Sequence, residues 1–247
     1  MKYLKLLLIH TQCTCLELFR QPMYLVSTVL FPSMFFWFFG IPNAKEPGAI
    51  AILTASFSAF AVLSVVLFQF AVGISQERDS SWYYYVRSLP YPKGLQLISR
   101  LLAGLLFSAL GIGGVIATAL IFSDLKMADI AWLGFLLKIY LGAIPFAVMG
   151  ICLGLGVNSR TVLPMANLIY LPLSFAGGLW MPPNILPKVV QDISVYLPTR
   201  MYGEILWADV LKTSVEVKNI YGLVGYGAVF FVLALVLFQR VQEKNFK

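Results

Sequence analysis

The stretch that decides the fold is ILTASFSAFAVLSVVLFQFAVGI, residues 52–74, which contains no charged side chain. A helix needs about 20 predominantly apolar residues to cross the hydrocarbon core of a bilayer, and this stretch is long enough. It is followed by the polar segment QERDSSWYYYVRSLPYP, residues 76–92, and then by a second long apolar run at residues 101–122. We therefore expect residues 76–92 to form a short element held at one face of a membrane.

The composition of the whole chain indicates the same class of protein. Of its 247 residues, 60% are hydrophobic and 12% are charged, so a soluble domain of this composition would lack the polar side chains to cover its surface. The net charge is +7, but the basic residues lie singly at the ends of apolar runs. That distribution is typical of membrane orientation signals and argues against a nucleic-acid partner. No linker or repeat divides residues 1–247, so we expect one transmembrane domain.

The apolar runs predict an all-α membrane protein with six transmembrane helices. The predicted spans are residues 23–41, 50–74, 98–122, 130–157, 162–180 and 220–238. Four prolines lie inside these runs: Pro32, Pro145, Pro164 and Pro172. Because proline removes a backbone donor, we expect kinks near them. Residues 1–21 have apolar side chains at roughly helical spacing, which predicts an N-terminal amphipathic helix lying in the membrane interface.

Lysine and arginine orient the predicted spans. If the N-terminus is cytoplasmic, the short outer loops hold only Lys45 and Lys126, and most other basic residues fall in cytoplasmic segments. An even number of spans places the C-terminus on the same side. We therefore expect a multi-pass protein of the inner (plasma) membrane with both termini in the cytoplasm. The polar segment at residues 76–92 would then be cytoplasmic.

The long loop at residues 181–219 is expected on the outer side. Prolines separate short amphipathic pieces within it. Because it is too apolar for a freely solvated linker, we expect short re-entrant helices that dip into the outer interface and pack on the bundle. They could form a lid over whatever leaves the membrane domain.

Few polar side chains lie within the predicted spans. Lys138 either faces a pathway or snorkels to the outer interface, and snorkelling is favoured because the fourth apolar run is overlong. Gln69 and Asn167 either line a path or form hydrogen bonds between helices, of which the second is favoured. Gly150 and Gly154 form a small-x-x-x-small step that predicts close helix packing.

The sequence offers no machinery for chemistry or for ATP hydrolysis. It contains no G-x-x-x-x-G-K-[ST] phosphate loop. Cys13, Cys15 and His10 cannot supply the four ligands of a structural metal site. The predicted spans hold no His, Asp or Glu well inside them, so we expect no catalytic residue, no metal and no bound cofactor. Energy must come from a partner or a gradient.

The segment ERDSSWYYYVRSLP, residues 77–90, resembles the first cytoplasmic loop of type-2 ATP-binding-cassette exporter permeases. The usual pattern there is E-R-E-x-G-T, followed several residues later by a proline. The residues that match are Glu77, Arg78, Asp79, Arg87 and Pro90. Ser81 and Trp82 stand where the family commonly has Gly and Thr.

A second stretch, LPLSFAGGLWMPPNILPKVVQDISVYLPTRMYGEI at residues 171–205, resembles the fifth span and outer re-entrant segment of that family. The residues that carry this likeness are Ser174, Gly177, Gly178, Pro183, Leu186, Pro187 and Pro198. The last four are the candidate gate residues. The sequence ELFRQP, residues 17–22, also fits the family's amphipathic entry helix, so the resemblance covers the chain in order.

The resemblance implies a six-span export permease without its own ATPase. Such a permease forms a dimer with a second copy or a homologous permease, and each copy docks a separate ATP-binding cassette subunit that binds ATP and Mg. The residues expected to dock are Gln76, Glu77, Arg78, Asp79, Trp82, Tyr83, Tyr84 and Arg87. Their aromatic rings are suited to insert into a groove of the partner subunit, and their charges would fix how the two subunits align. An interfacial aromatic belt in the lipid bilayer is the alternative.

The expected cargo is an amphipathic or hydrophobic compound, such as a drug, an antimicrobial or a lipid-like molecule, moved outward. The side chains expected along its path are Phe35, Phe57, Phe60, Gln69, Asn167 and Phe175. Export of a polysaccharide or lipid-linked glycan stays open within the same family. An ion-coupled secondary transporter or an intramembrane enzyme is the alternative of another class.

Overall fold

The helices of the protein follow the apolar runs closely. The computed structural model describes residues 2–44, 48–80, 93–125 and 132–244, and every regular element in these ranges is helical. The helices are α1 (Lys2–Phe19), α2 (Val26–Asn43), α3 (Ala49–Arg78), α4 (Lys93–Phe122), α5 (Trp132–Gly142), α6 (Ile144–Gly156), α7 (Val162–Ala176), α8 (Lys188–Ser194), α9 (Pro198–Leu211) and α10 (Val217–Lys244). A short turn, Pro22–Leu25, leads into α2, and a 3-10 turn covers Pro183–Ile185. The all-α prediction is confirmed for these ranges.

Five helical stretches are long and apolar enough to cross a membrane. They are Val26–Asn43, Ala49–Arg78, Gly94–Phe122, Trp132–Gly156 and Val217–Val241. These stretches coincide with the first four predicted spans and the last. The fifth predicted span corresponds to α7, whose 15 residues fall short of the roughly 20 that a crossing needs. The layout with six spans therefore stays a prediction.

α3 lies at the centre of the fold. It is apolar on all sides, and most of its residues are buried. Phe57, Phe60 and Val65 on this helix are fully buried. The helices α4, α6, α7 and α9 all pack against it. α10 is the opposite case, since most of its apolar side chains are exposed on the outside of the bundle.

The helices α3 and α6 pack with almost no side chain between them. An added Cβ at Gly150 would lie 2.9 Å from the carbonyl oxygen of Leu67, and one at Gly154 would lie 2.9 Å from that of Phe70. Both distances are too short for any larger residue without a shift of backbone. The packing seam predicted from the Gly150–Gly154 spacing is confirmed.

α2 is irregular at two places, and a proline follows each of them. The π-helical turn Val26–Leu30 precedes Pro32, and the π-helical turn Phe36–Gly40 precedes Pro42. Because proline has no N–H to donate, the residue after each π turn donates to a carbonyl five residues back. The helix is thus irregular beside Pro32, and the kink expected there stays a prediction.

α1 packs along α4 and leaves an apolar stripe uncovered. The ring of Phe19 lies 4.9 Å from that of Phe107 on α4. Leu4, Leu8 and Leu16 are exposed on the helix surface. The predicted N-terminal helix is present, and its location in the membrane interface stays a prediction.

Candidate functional site

Arg78, the last residue of α3, closes the end of α6. Its guanidinium donates hydrogen bonds to three backbone carbonyls, those of Gly154 (3.3 Å), Leu155 and Val157 (2.9 Å). Ser75 Oγ also donates to the carbonyl of Val157, at 2.7 Å. Carbonyls at a helix C-terminus have no donor within their own helix, and the helix dipole favours a positive charge there. This contact fastens α3 to α6.

Glu77 holds α3 to the first turns of α4. Its carboxylate forms an ion pair with Arg100 and accepts a hydrogen bond from Gln96 Nε2 at 2.7 Å. Arg100 crosses α3 at Gly73, where an added Cβ would overlap the guanidinium. The same guanidinium lies 3.4 Å from the carbonyl oxygen of Gln69, and its side chain is only 14% exposed. Arg100 is thus largely buried, whereas the Glu77 side chain is 33% exposed.

Asp79 links α3 to the start of α7. Its Oδ2 accepts a hydrogen bond from the backbone N–H of Ser159 at 2.8 Å, and its Oδ1 accepts one from Arg78 Nε at 3.3 Å. The N–H of Ser159 holds the pKa of Asp79 below its ordinary value, and the side chain of Arg78 adds to that effect. Beside it, Asn158 Oδ1 accepts from the N–H of Thr161 at 3.0 Å and shapes the turn into α7.

These contacts form one unit, which we call the charge cluster. Its members are Glu77, Arg78, Asp79, Gln96, Arg100 and Ser159. Three successive charged residues at the end of α3 and just after it therefore bind α4, the end of α6 and the turn before α7. Gln96, Arg100 and Ser159 were not predicted as site residues, although a charged residue inside the predicted span 98–122 was a signal for Arg100.

The predicted docking residues divide into two groups. Glu77, Arg78 and Asp79 contact helices of their own chain, and Gln76 is exposed beside them. The remaining four, Trp82, Tyr83, Tyr84 and Arg87, lie outside the described residues. The described part of the predicted docking segment therefore lies at the end of α3. There its residues contact α4, the end of α6 and the turn before α7.

The carboxylates of the charge cluster are already bound to arginine or to backbone N–H groups. Among the described residues, no group of three or more His, Cys, Asp or Glu could hold a metal ion. The charge cluster therefore joins the end of α3 to α4, to the end of α6 and to the turn before α7.

A second feature is a set of rings around Trp180, which we call the aromatic cluster. The ring of Trp180 lies 4.9 Å from Phe35, 5.6 Å from Phe60, 5.9 Å from Phe175 and 6.1 Å from Phe39, between centroids. Its indole N–H is buried and has no hydrogen-bond partner among the described residues. Three of the six predicted path residues thus meet here. Trp180 itself was missed as a site residue, although it is the last residue of the predicted span 162–180.

The other three predicted path residues lie apart from Trp180. The ring of Phe57 is fully buried and lies 6.1 Å from that of Phe60. Gln69 Nε2 donates to the carbonyl of Arg100 at 2.7 Å. Asn167 Nδ2 donates to a carbonyl one turn earlier on α7 at 3.1 Å. Gln69 thus makes the hydrogen bond between helices that the sequence favoured, whereas the hydrogen bond of Asn167 stays within α7.

The four predicted gate residues lie where the chain turns between α7 and α9. Pro183 packs beside Gly178, which adopts a φ of 80° and where an added Cβ would lie 2.7 Å from the proline ring. Leu186 is buried. Pro187 immediately precedes α8, and Pro198 is the first residue of α9. Each of the three prolines starts a helical turn, where no N–H donor is required.

α9 is a buried helix anchored on two sides. The Tyr202 hydroxyl donates to the carbonyl of Ile139 on α5 at 2.7 Å, and Trp207 Nε1 donates to Ser56 Oγ on α3 at 2.7 Å. Tyr202 is fully buried, and both hydrogen bonds lie away from the surface. The predicted re-entrant segment therefore contains a helix that packs deep in the bundle.

Lys138 forms an ion pair with Asp209 of α9. The side chain of Lys138 is 36% exposed and that of Asp209 is 15% exposed. The two alternatives drawn from the sequence, a pathway residue or a snorkelling one, did not include this partner. Asp209 was missed because it lies in the loop outside the predicted spans.

Comparisons with known proteins agree with this architecture. The family model described as ABC-2 type transporter matches residues 5–210, which run from α1 almost to the end of α9. One curated relative, the candidate transport permease YvfS of Bacillus subtilis (strain 168), is 27% identical over 228 residues. That alignment covers 91% of this chain and 93% of the relative. The matched family region contains the whole charge cluster.

Proposed function

The chain belongs to the ABC-2 type transporter family, and from that premise we propose that it exports an amphipathic or hydrophobic compound. It is a multi-pass membrane protein and a permease subunit that associates with an ATP-binding cassette subunit. In the proposed complex, the partner subunit binds ATP and Mg and hydrolyses the nucleotide. The permease converts the partner's movement into the passage of cargo.

The observation that carries the coupling part of the proposal is the charge cluster. The proposed docking segment, residues 76–92, has a rigid base, because its first residues bind the end of α3 to α4, to α6 and to the turn before α7. A partner that grips the aromatic residues Trp82, Tyr83 and Tyr84 would therefore move several spans at once. Aromatic anchors of this kind commonly supply most of the energy of an interface.

The aromatic cluster supports the proposed class of cargo. Its rings come from α2, α3 and the end of α7, and Trp180 adds one N–H donor without a partner in the described chain. Sites for small molecules are mostly apolar, with a few polar groups that set orientation. Rings at the junction of three helices suit a molecule selected by shape and hydrophobicity.

We further propose that α7 and the residues after it complete a sixth span, with both termini in the cytoplasm of an inner-membrane protein. The charge cluster would then lie at the inner face, and α8 and α9 at the outer face as a gate. A second copy or a homologous permease would complete the pathway. The positive-inside distribution of lysine and arginine supports this orientation.

The coupling proposal is tested by changing Trp82, Tyr83 and Tyr84 to Ala in one variant. Loss of aromatic anchors should weaken co-purification of the ATP-binding subunit by roughly tenfold or more and abolish stimulation of its ATPase. The matched control is Tyr196→Ala plus Tyr221→Ala, which removes two exposed rings elsewhere. Unchanged assembly in the triple variant, or equal loss in the control, would refute docking through this segment.

A further inference from the structure

The fourth span is built from two separate half-helices. α5 ends at Gly142, Ala143 forms a turn, and α6 begins at Ile144. Pro145 in the first turn of α6 cannot donate to a carbonyl of α5, so the hydrogen-bond ladder is interrupted between the halves. An interrupted ladder with a glycine beside it is a place where a helix can bend.

The two halves are held by different parts of the protein. α6 is locked in the bundle, because Gly150 and Gly154 lie against the backbone of α3 and Cys152 Sγ donates to the carbonyl of Phe230 on α10 at 3.1 Å. α5 instead meets α9, where the Tyr202 ring packs against Gly142 and leaves no room for a Cβ. The fixed half and the half beyond the break therefore have separate supports.

The outer surface of α5 has no protein cover. Leu133, Leu137 and Leu141 recur every four residues and are among the exposed apolar side chains. Phe135 and Ile139 on the other face are fully buried. The half-helix is therefore held through its other face, where it meets α3 and α9, and by a hydrogen bond from the Tyr140 hydroxyl to the carbonyl of Leu105 on α4 at 3.4 Å.

The Lys138–Asp209 pair is a further contact of this half-helix with α9. Asp209 Oδ2 is buried without a hydrogen-bond partner among the described residues, so the Lys138 ammonium is the charge that compensates this carboxylate. Asp209 lies on α9, which Trp207 anchors to α3. Lys138 is partly exposed, but Asp209 is largely buried, so removing Lys138 leaves a carboxylate without a compensating charge, which is costly.

We infer that Lys138 and Asp209 are positioning residues that latch a hinged half-helix, α5, onto the anchored helix α9. Release of the pair leaves the hydrogen bond from Tyr202 to the Ile139 carbonyl as a remaining polar contact between α5 and α9, so α5 is freer to swing about Gly142–Ala143 while α6 stays in the bundle. The latch and hinge rest on the contacts above. Only their role as the moving part of the outer gate rests on the proposed function.

The two partners should respond unequally to loss of charge. Lys138→Met leaves the Asp209 carboxylate buried and unpaired, so α5 and α9 should separate. Asp209→Asn leaves a lysine that is already partly exposed and can extend its long stem toward water. We expect both changes to loosen α5, the first more than the second.

Spin-label distances in the full chain in lipid nanodiscs test this directly. Labels at Leu133→Cys on α5 and Val224→Cys on α10 both occupy exposed positions. The background carries Cys13→Ser, Cys15→Ser and Cys152→Ser, which remove the free cysteines of the described chain and keep a hydrogen-bond donor at position 152. With Lys138 and Asp209 unaltered, the two labels should give one distance population. Lys138→Met should add a second population at a longer distance.

Charge exchange supplies the rescue. Lys138→Asp combined with Asp209→Lys should restore the single population, whereas each of these changes alone should not. The control is Glu204→Gln, which breaks the ion pair between Arg200 and Glu204 inside α9 without touching α5. If Lys138→Met does not fold, Asp209→Asn and the exchanged pair decide the question. One unchanged population in the folded single variants would overturn the latch.

The role in transport is read separately. In the complex with the ATP-binding subunit, the single variants should change the ratio of cargo moved to ATP hydrolysed, and the exchanged pair should restore it. Altered distances with an unaltered ratio would keep the hinge and remove its role as a gate. Absence of ATPase coupling in the unaltered complex would count against the proposed function and leave the distance result standing.

Discussion

Arg78 carries a permanent charge although only 18% of its side chain is exposed. Removing a guanidinium from water is costly unless its donors find acceptors, and the end of α6 supplies three backbone carbonyls. Arginine is suited to this position because its planar group presents five donors in a fixed arrangement, whereas lysine presents three from a single point. One residue thus satisfies a helix end and joins two spans.

Arg78→Met should therefore destabilise the protein by roughly 1.5–3 kcal/mol, the usual contribution of hydrogen bonds to a charged group. Arg78→Lys should recover part of that loss. The measurement is thermal or denaturant unfolding of the purified chain in detergent. Arg160→Met, at an exposed arginine near the same helix ends, is the control and should change the free energy by less than about 0.5 kcal/mol. Equal losses in Arg78→Met and the control would show that the carbonyl contacts add no stability.

At the scale of elements, the contact between α3 and α6 depends on the absence of side chains. Backbone carbonyl oxygens of α3 lie only 2.9 Å from where the Cβ atoms of Gly150 and Gly154 would be. Association of helices in a membrane relies on close packing, because lipid tails already surround apolar side chains as well as protein does. The same close approach brings the end of α6 within reach of Arg78.

Gly154→Ala should consequently cost about 1–3 kcal/mol, because the added methyl group overlaps backbone atoms that cannot rotate away. Gly134→Ala is the matched control on α5, where nothing lies within 4 Å of the added Cβ. There the higher helix propensity of alanine should add up to about 1 kcal/mol. Unfolding of both variants under one condition gives the comparison, and similar values for the two would contradict the close packing.

For the whole molecule, the open question is whether α7 crosses the membrane. Its 15 residues extend about 22 Å, less than the roughly 30 Å of hydrocarbon, so the turn at residues 177–180 must supply the remainder. The aromatic cluster lies at this turn, where Trp180 packs against rings of α2 and α3. Such packing shields irregular backbone from lipid, as membrane proteins require.

Labelling from the two sides of the membrane tests the six-span layout. Arg160→Cys and Lys188→Cys place single exposed thiols before and after α7, in a chain without its native cysteines. An impermeant maleimide added to intact cells should label only Lys188→Cys, and Arg160→Cys should react only after the membrane is opened. Arg240→Cys, near the end of α10, should behave like Arg160→Cys. Labelling of both loop positions from one side would remove the sixth span.

The sequence predicted the helices well and the site only in part. Apolar runs predicted every described spanning helix, and the Gly150–Gly154 spacing predicted a seam that the structure confirms. Glu77, Arg78 and Asp79 were identified as a functional group, but only for a partner protein. Their bonds to Arg100, to the end of α6 and to Ser159 join residues far apart in the chain, and no local pattern reveals them.

By itself, the sequence determined that this is an all-helical membrane protein with no nucleotide-binding loop of its own. The helical class follows from local chemistry, because a run of apolar residues in lipid must satisfy its backbone hydrogen bonds within one helix. The absence of the loop is read directly from the residues. Only the tertiary structure decided that Lys138 meets Asp209, that Trp180 gathers rings from three helices, and that Arg78 closes α6. A charge or a ring acquires its partner through helix packing, which brings distant residues to one place and which hydropathy does not encode.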